Sequence, residues 1–279
     1  MDIQWYPGHM AKAKRLLADK LKLISVAVVV VDARAPRSTL NPDFAALLSG
    51  KPCVLVLNKR DLADEAATAQ WLKTLGGQYG AALAFSATQD KPAVLRAAIA
   101  QAAAPLVQRY ADKGMKKTVR ALVAGIPNVG KSAVINRLLG RKSAKEGDKP
   151  GVTRGLQWVR LTETLELLDS PGLLWPKIES QADAAKIALC GSLKQENLDL
   201  TELALHLIRL IKDIAPQALS ARYGVEAEEP YATLSQICAK RGFLLRGGEP
   251  DIERGAKALL DEYKGGKLGR ITLERPDAD

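Results

Sequence analysis

The chain has 279 residues, 47% hydrophobic and 26% charged, enough to bury a proper core as one large or two modest domains. Its most apolar run, 23–31, is too short to span a bilayer, ends at Asp32 and lacks a signal-peptide cleavage site. Cys53, Cys190 and Cys238 show no CxxC spacing. Membrane insertion, a disulfide framework and a zinc site are therefore set aside, a reducing cytoplasm is expected, and a formal charge of +10 points toward a polyanionic partner.

In chain order, residues 1–22 open with Trp5-Tyr6-Pro7-Gly8-His9-Met10 and continue as a basic helix with apolar positions at Leu16, Leu17 and Leu21. Residues 23–31 read as a buried parallel strand that Asp32-Ala33-Arg34-Ala35-Pro36 closes, and a short helix is expected over 42–49. A second apolar strand, 53–57, runs into Asn58-Lys59-Arg60-Asp61. A helix over 64–75, a strand over 82–85 meeting Ser86-Ala87, and a helix over 91–104 follow, with a charged linker at 110–114. The strand 118–124 then leads to Gly125-Ile126-Pro127-Asn128-Val129-Gly130-Lys131-Ser132 and an amphipathic helix ending at Gly140. After a polar segment, 142–151, and Val152-Thr153-Arg154, strands over 156–161 and 165–168 deliver Asp169-Ser170-Pro171-Gly172. From 177 onward the pattern is helical. Alternating strands and helices predict an α/β domain, 1–176, on a mostly parallel, doubly wound sheet, followed by an α-helical domain, 177–279.

Strand, glycine-rich loop with Lys-Ser, then helix is the setting in which GxxxxGK[ST] holds phosphate. Glycines let successive amides, those of Asn128, Val129, Gly130 and Ala133 among them, turn toward one anion, and the helix N-terminus adds its partial positive charge. Lys131 supplies a point charge for the outer phosphates, and the Ser132 hydroxyl suits Mg²⁺. Asn58-Lys59-Arg60-Asp61 ends a strand, where open α/β sheets bind ligands, and matches the guanine-reading NKxD of GTPases. The Asp61 carboxylate accepts from the guanine N1–H and N2–H₂ edge, a pairing adenine cannot offer. Asn58 can bond the base edge and brace the loops, and the Lys59 stem covers the sugar. Ser86-Ala87 resembles the fifth GTPase motif, whose backbone N–H meets the guanine O6. Thr153 is a candidate switch ligand to Mg²⁺, Asp169 would hold the ion through water, and the Gly172 N–H would sense the γ-phosphate.

The five motifs run four, five, one, two, three, and moving the first half of the chain behind the second restores the usual order. The chain thus resembles the circularly permuted GTPases, most closely the bacterial YlqF/RbgA ribosome-biogenesis GTPases. The resemblance is carried by Trp5–Met10, Asp32–Pro36, Asn58–Asp61, Gly125–Ser132 and Asp169–Gly172, and by Leu245-Arg246-Gly247-Gly248-Glu249-Pro250-Asp251 in the tail. It implies a Mg²⁺-dependent, circularly permuted P-loop GTPase with GTP and GDP as ligands, serving assembly of the large (50S) ribosomal subunit and touching its rRNA. Ala133, where many such loops carry Thr, leaves Ser132 as the hydroxyl there.

Leu173 and Leu174 occupy the positions where many GTPases place a water-orienting glutamine. The resemblance points instead to His9 as the water-positioning group; a local cap or RNA contact is the other reading. It also points to Asn128 as a K⁺ ligand, against a backbone-bracing role. His206 is assigned no role. Between Arg109 and Arg154, twelve Lys and Arg stand against three Asp and Glu, which favours RNA over a merely solvated face. The tail reads as an RNA-binding helical module or as a structural lid, and its covalent link through 175–177 would carry switch movements from 169–174 into it. The competing functions are a nucleotide-gated RNA-binding module with incidental hydrolysis and a phosphate-loop ATPase or small-molecule kinase.

Overall fold

A computed structural model describes residues 15, 17–140, 156–175, 178, 180–194, 196 and 198–276. His9, Thr153 and the residues around each lie outside the described residues. The strand β1 (Val26–Asp32) is valine-rich and buried along its whole length, as a strand covered on both faces must be. It is followed by α1 (Asp43–Leu47), β2 (Cys53–Asn58), a 3₁₀ turn at Arg60–Leu62, α2 (Glu65–Gly76), β3 (Ala81–Phe85) and α3 (Pro92–Ala111). Then come β4 (Val119–Ala124), α4 (Lys131–Leu139), β5 (Gln157–Arg160) and β6 (Leu165–Asp169). The helices α5 (Gln181–Leu189), α6 (Leu200–Ile214), α7 (Gln217–Tyr223), α8 (Pro230–Arg241) and α9 (Ile252–Lys264) complete the chain.

The six strands order as β3-β2-β1-β4-β6-β5, all parallel except β5, which runs antiparallel to β6. Register sets Asp32 beside Asn58, Asn58 beside Phe85, and Val123 beside Asp169. The segments after β1, β2, β3, β4 and β6 therefore all leave from the carboxyl edge of one sheet, where such folds hold ligands. β1 lies directly against β4, the strand that feeds the phosphate loop. That adjacency makes the permuted order work: a strand from the first half sits at the centre of a sheet completed by the second.

On one face Val28, Val56, Leu95, Ile99 and Val134 form a core that continues into Leu189, Leu207 and Ile208 of the C-terminal helices. On the other, Leu17, Phe44, Trp71 and Leu75 cover Val29, Leu55 and Leu168. The helix predicted over 91–104 runs on to Ala111, through Pro105 and into the stretch expected to be a linker. Pro105 is exposed, so the helical bond its missing N–H forgoes leaves a carbonyl that water can serve. Past α9 the chain turns back, and residues 270–275 lie along the segments that follow β1 and β2: Leu273 N–H donates to Arg34 O (2.7 Å) and Ile271 N–H to Leu62 O (3.1 Å).

Candidate functional site

The loop between β4 and α4 turns on two left-handed residues, Asn128 at φ 59° and Gly130 at φ 95°. A Cβ on Gly130 would fall 2.3 Å from Asn58 Nδ2, so the position admits no side chain. Lys131 opens α4 and is buried, with Nζ donating to Ile126 O at 2.8 Å inside the loop. Burial pushes its ammonium down to about 8, against an opposing pull from Asp169. Ser132 Oγ donates to Asp169 Oδ2 at 3.4 Å. Ala133 sits half-buried in the first turn of α4.

Asn58 ties this loop to its neighbour. Its Nδ2 donates to Val129 O (2.8 Å), and its Oδ1 accepts the Ala87 N–H (3.2 Å). Lys59, left-handed at φ 62°, donates Nζ to Asn128 O (2.7 Å) and pairs with Asp32 Oδ2 (2.9 Å). Asp61 is half-buried, its Oδ2 3.5 Å from the Thr88 hydroxyl, which also lies 2.9 Å from Ser86 Oγ. Asp90 closes the Ser86–Asp90 turn by accepting the Ser86 N–H (2.7 Å) while Arg60 grips its carboxylate. The hydrogen bond from Arg60, with those from Ser86 and the charge of Arg137, outweighs burial and holds the Asp90 carboxyl below its ordinary range. Asn58, Lys59, Asp61, Ser86, Ala87, Asn128, Val129, Gly130, Lys131 and Ser132 thus converge on one end of the sheet, with the loop-bracing reading of Asn58 realised.

Asp169 ends β6 beneath Lys131 and is almost fully buried. Burial raises its carboxyl above the ordinary range, against the charge of Lys131 and hydrogen bonds from Ser132 and Ser170. Its Oδ1 is buried and has no hydrogen-bond partner among the described residues. A buried anionic oxygen without a donor, beside a hydroxyl, fits a hard divalent cation or its water shell. Three residues on, Gly172 lies against the phosphate loop: an added Cβ would be 2.6 Å from Pro127 N. Leu173 N–H donates to Gly125 O (3.1 Å), and both Leu173 and Leu174 are buried, offering no polar group to orient water.

Other contacts carry no local sequence signal. After α5, Gly191 O accepts from Asn128 Nδ2 (2.7 Å), and Ser192 Oγ donates to Pro127 O (2.6 Å), so the helical part clasps the phosphate loop directly. Asp32 and Arg34, noted in the sequence as the close of a strand and as part of a resemblance, form a fully buried pair beside Lys59. Burial alone would raise the Asp32 carboxyl; the charges of Arg34 and Lys59 and their hydrogen bonds outweigh it and hold the group well below the usual carboxylate range. His206 Nε2 is buried without a hydrogen-bond partner among the described residues, and burial, then Arg209 and Lys186, lowers the ring's basicity.

A family model described as "50S ribosome-binding GTPase" matches residues 120–236. The chain is 40% identical to a Bacillus cereus protein named ribosome biogenesis GTPase A, over 99% of this chain and 95% of that one. It is 33% identical to the Thermotoga maritima protein of the same name, over 99% and 95%. Among solved structures, a GNP-bound YlqF from T. maritima aligns with TM-score 0.68 at 32% identity, covering 96% of this chain and all of the other. A GDP-bound YlqF structure aligns equally well, at 30% identity over 94% and 99%.

Proposed function

The chain belongs to the ribosome biogenesis GTPase A family of circularly permuted GTPases, and on that footing we propose that it hydrolyses GTP as an assembly factor for the large ribosomal subunit. The observation that carries the reading is Asn58, which holds the phosphate loop by Val129 O and the next base-side turn by the Ala87 N–H, so that two motifs make one cradle. In that cradle Asp61 pairs with the guanine edge, the Lys59 stem lies along the sugar, and the Ala87 N–H serves O6 and Asn58 together. The loop amides and Lys131 hold the phosphates. GTP would replace the Ile126 carbonyl as the partner of Lys131 Nζ, and the phosphate charge would restore the ammonium that burial weakens.

Ser132 and Asp169, the latter through water, are the residues that would hold Mg²⁺, with Thr153 as the switch ligand; Asp169 Oδ1, without a hydrogen-bond partner among the described residues, supports this. When bound, the ion neutralises charge on the β- and γ-phosphates. Asn128 would contribute to a K⁺ site beside them, its carboxamide already fixed through nitrogen by Gly191 O. The Gly172 N–H senses the γ-phosphate where the glycine packs on Pro127. Water is left to His9 once the ribosomal particle is bound, since Leu173 and Leu174 are buried and apolar.

For the RNA partner, the support is aromatic and cationic. Trp158 on β5 is 38% exposed with the Arg120 guanidinium 5.4 Å from its ring centre, and Lys117 stands 4.7 Å over Tyr110. Such stacked cation–aromatic pairs suit unpaired bases and phosphate. Among the described residues no helix is long and apolar enough to cross a membrane, and the working place we propose is the cytoplasm.

The test is the GTP hydrolysis rate in K⁺ and in Na⁺ buffer, alone and with purified large or small ribosomal subunits. The proposal expects strong stimulation by large subunits only, lost in His9→Ala with GTP binding retained. A rate that neither subunit changes would overturn the assembly-factor reading and favour the RNA-binding module in which hydrolysis is incidental.

A further inference from the structure

Arg34 is fully buried, and its side-chain hydrogen bonds to the described residues meet at one junction. Its Nε donates to Asp32 Oδ1 (2.9 Å) and its Nη2 to Asp32 Oδ2 (2.8 Å), a two-point grip that fixes the plane of the carboxylate. Asp32 Oδ2 also takes Lys59 Nζ at 2.9 Å, and that same Nζ reaches Asn128 O at 2.7 Å. Arg34 therefore sets the carboxylate that sets Lys59, and Lys59 spans the base-reading motif and the phosphate loop.

The far side of the guanidinium belongs to the C-terminal helices. Its Nη1 donates to Lys264 O (3.3 Å) in the last turn of α9, where helix carbonyls carry partial negative charge. Its Cζ lies 5.3 Å from the centre of the Tyr263 ring. Just beyond, Gly266 meets Leu62, the residue after Asp61, so closely that a Cβ there would fall 2.6 Å from Leu62 Cδ2. The end of α9 thus touches the base-reading segment twice, once through Arg34 and Asp32 and once through Leu62.

We propose that Arg34 is a positioning residue for guanine recognition, seated by Tyr263 and the end of α9, so that the grip on the nucleotide base depends on how the C-terminal helices are docked. The proposal rests on the reading of Asn58–Asp61 as the guanine motif. Its route is distinct from the switch at Gly172, because it acts on the base and sugar end and is blind to the γ-phosphate. A partner that draws α9 away would release GDP and GTP alike, and by reciprocity bound nucleotide of either kind would favour the docked helices.

Lysine cannot reproduce a two-point fork that also lies flat on a ring. The experiment measures dissociation of fluorescent GDP and of a fluorescent non-hydrolysable GTP analogue from the full chain carrying Arg34→Lys, Tyr263→Leu, both, Tyr263→Phe or Asp61→Asn. Arg34→Lys and Tyr263→Leu are each expected to speed release of both nucleotides about tenfold, equivalent to about 1.4 kcal/mol. The double variant should be no worse than the more affected single one, since both act through one contact. Tyr263→Phe, which keeps the ring and removes a hydroxyl that has no hydrogen-bond partner among the described residues, should match the parent. Additive effects, an effect on the GTP analogue alone, or parental release in Tyr263→Leu would each overturn the proposal. Tyr263→Leu decides the matter if Arg34→Lys does not fold. Loss of affinity in Asp61→Asn with parental behaviour at Arg34 and Tyr263 would sink this inference alone, whereas parental affinity in Asp61→Asn would sink the guanine reading beneath it.

Discussion

At the base end of the proposed cradle, Asn58 uses both ends of its carboxamide within the protein, Lys59 has two oxygen partners, and Asp90 is held by Arg60 and the Ser86 N–H. At the phosphate end the charged groups are buried without that completeness. Lys131 turns to a loop carbonyl with its ammonium weakened by burial, and Asp169 carries an oxygen that nothing described donates to. The difference is one of who supplies the compensation. At the base end protein groups satisfy Asn58, Lys59 and Asp90 before nucleotide arrives and leave Asp61 for the base, whereas the phosphate end stores unfavourable burial that phosphate and a cation would relieve. Affinity can then reside at one end and sensitivity to the γ-phosphate at the other.

The largest effect that would break this comparison is at Asp61. Asp61→Asn sets an amide against the guanine donors and should cost about a thousandfold in GTP affinity, as unpaired buried polar groups do. Binding should return with xanthosine triphosphate, whose C2 carbonyl accepts from the new amide; parental GTP affinity by calorimetry would refute the assignment. Next comes Asp32. Replacing it with Asn leaves Arg34 buried with no counter-charge and should lower stability by about 3 kcal/mol in urea unfolding near neutral pH. Because the folded carboxyl is held below its ordinary 3.8, the pair contributes fully above that value and fades as pH falls beneath it. The acid limb of the stability profile should therefore be shallower in Asp32→Asn than in the parent. The smallest effect sharpens the contrast most. Without nucleotide, Asn58→Ala should cost about 2 kcal/mol, since it strands the Val129 carbonyl and the Ala87 amide, while Asp169→Asn should stay within about 1 kcal/mol of the parent. With GTP and Mg²⁺ present the rise in melting temperature should vanish in Asp169→Asn.

The placing of Asn58, Asp61, Lys131 and Asp169 at one end of the sheet was legible in the sequence because its signals are local: Gly130 must be glycine for its φ, and each of the four follows an apolar strand by fixed short steps. The permuted order of the motifs was legible for the same reason, as the motifs themselves mark the carboxyl ends of β2, β4 and β6. What could not be read, Asn58 apart, was what is made across the chain. Ser192 on Pro127, Arg34 on Lys264, and Glu274, whose carboxylate accepts from Ser38 Oγ (2.6 Å) and Lys186 Nζ (3.2 Å), join residues that no periodicity connects. A tail called helical from its pattern gives no hint that residues 270–275 return to the sheet. The helix end at Ala111 was missed because charge and exposure mark a solvated helix and a linker alike.

The measurement that bears most directly on the account is amide hydrogen exchange on the full chain, nucleotide-free and saturated with a non-hydrolysable GTP analogue and Mg²⁺. The account predicts that the amides at 58–62 and 86–90 are protected already without nucleotide and change little. Those at 128–132 and at 170 and 172 should gain protection only when the analogue is bound. Fast exchange at 58–62 and 86–90 that slows on binding, with 128–132 protected throughout, would contradict it.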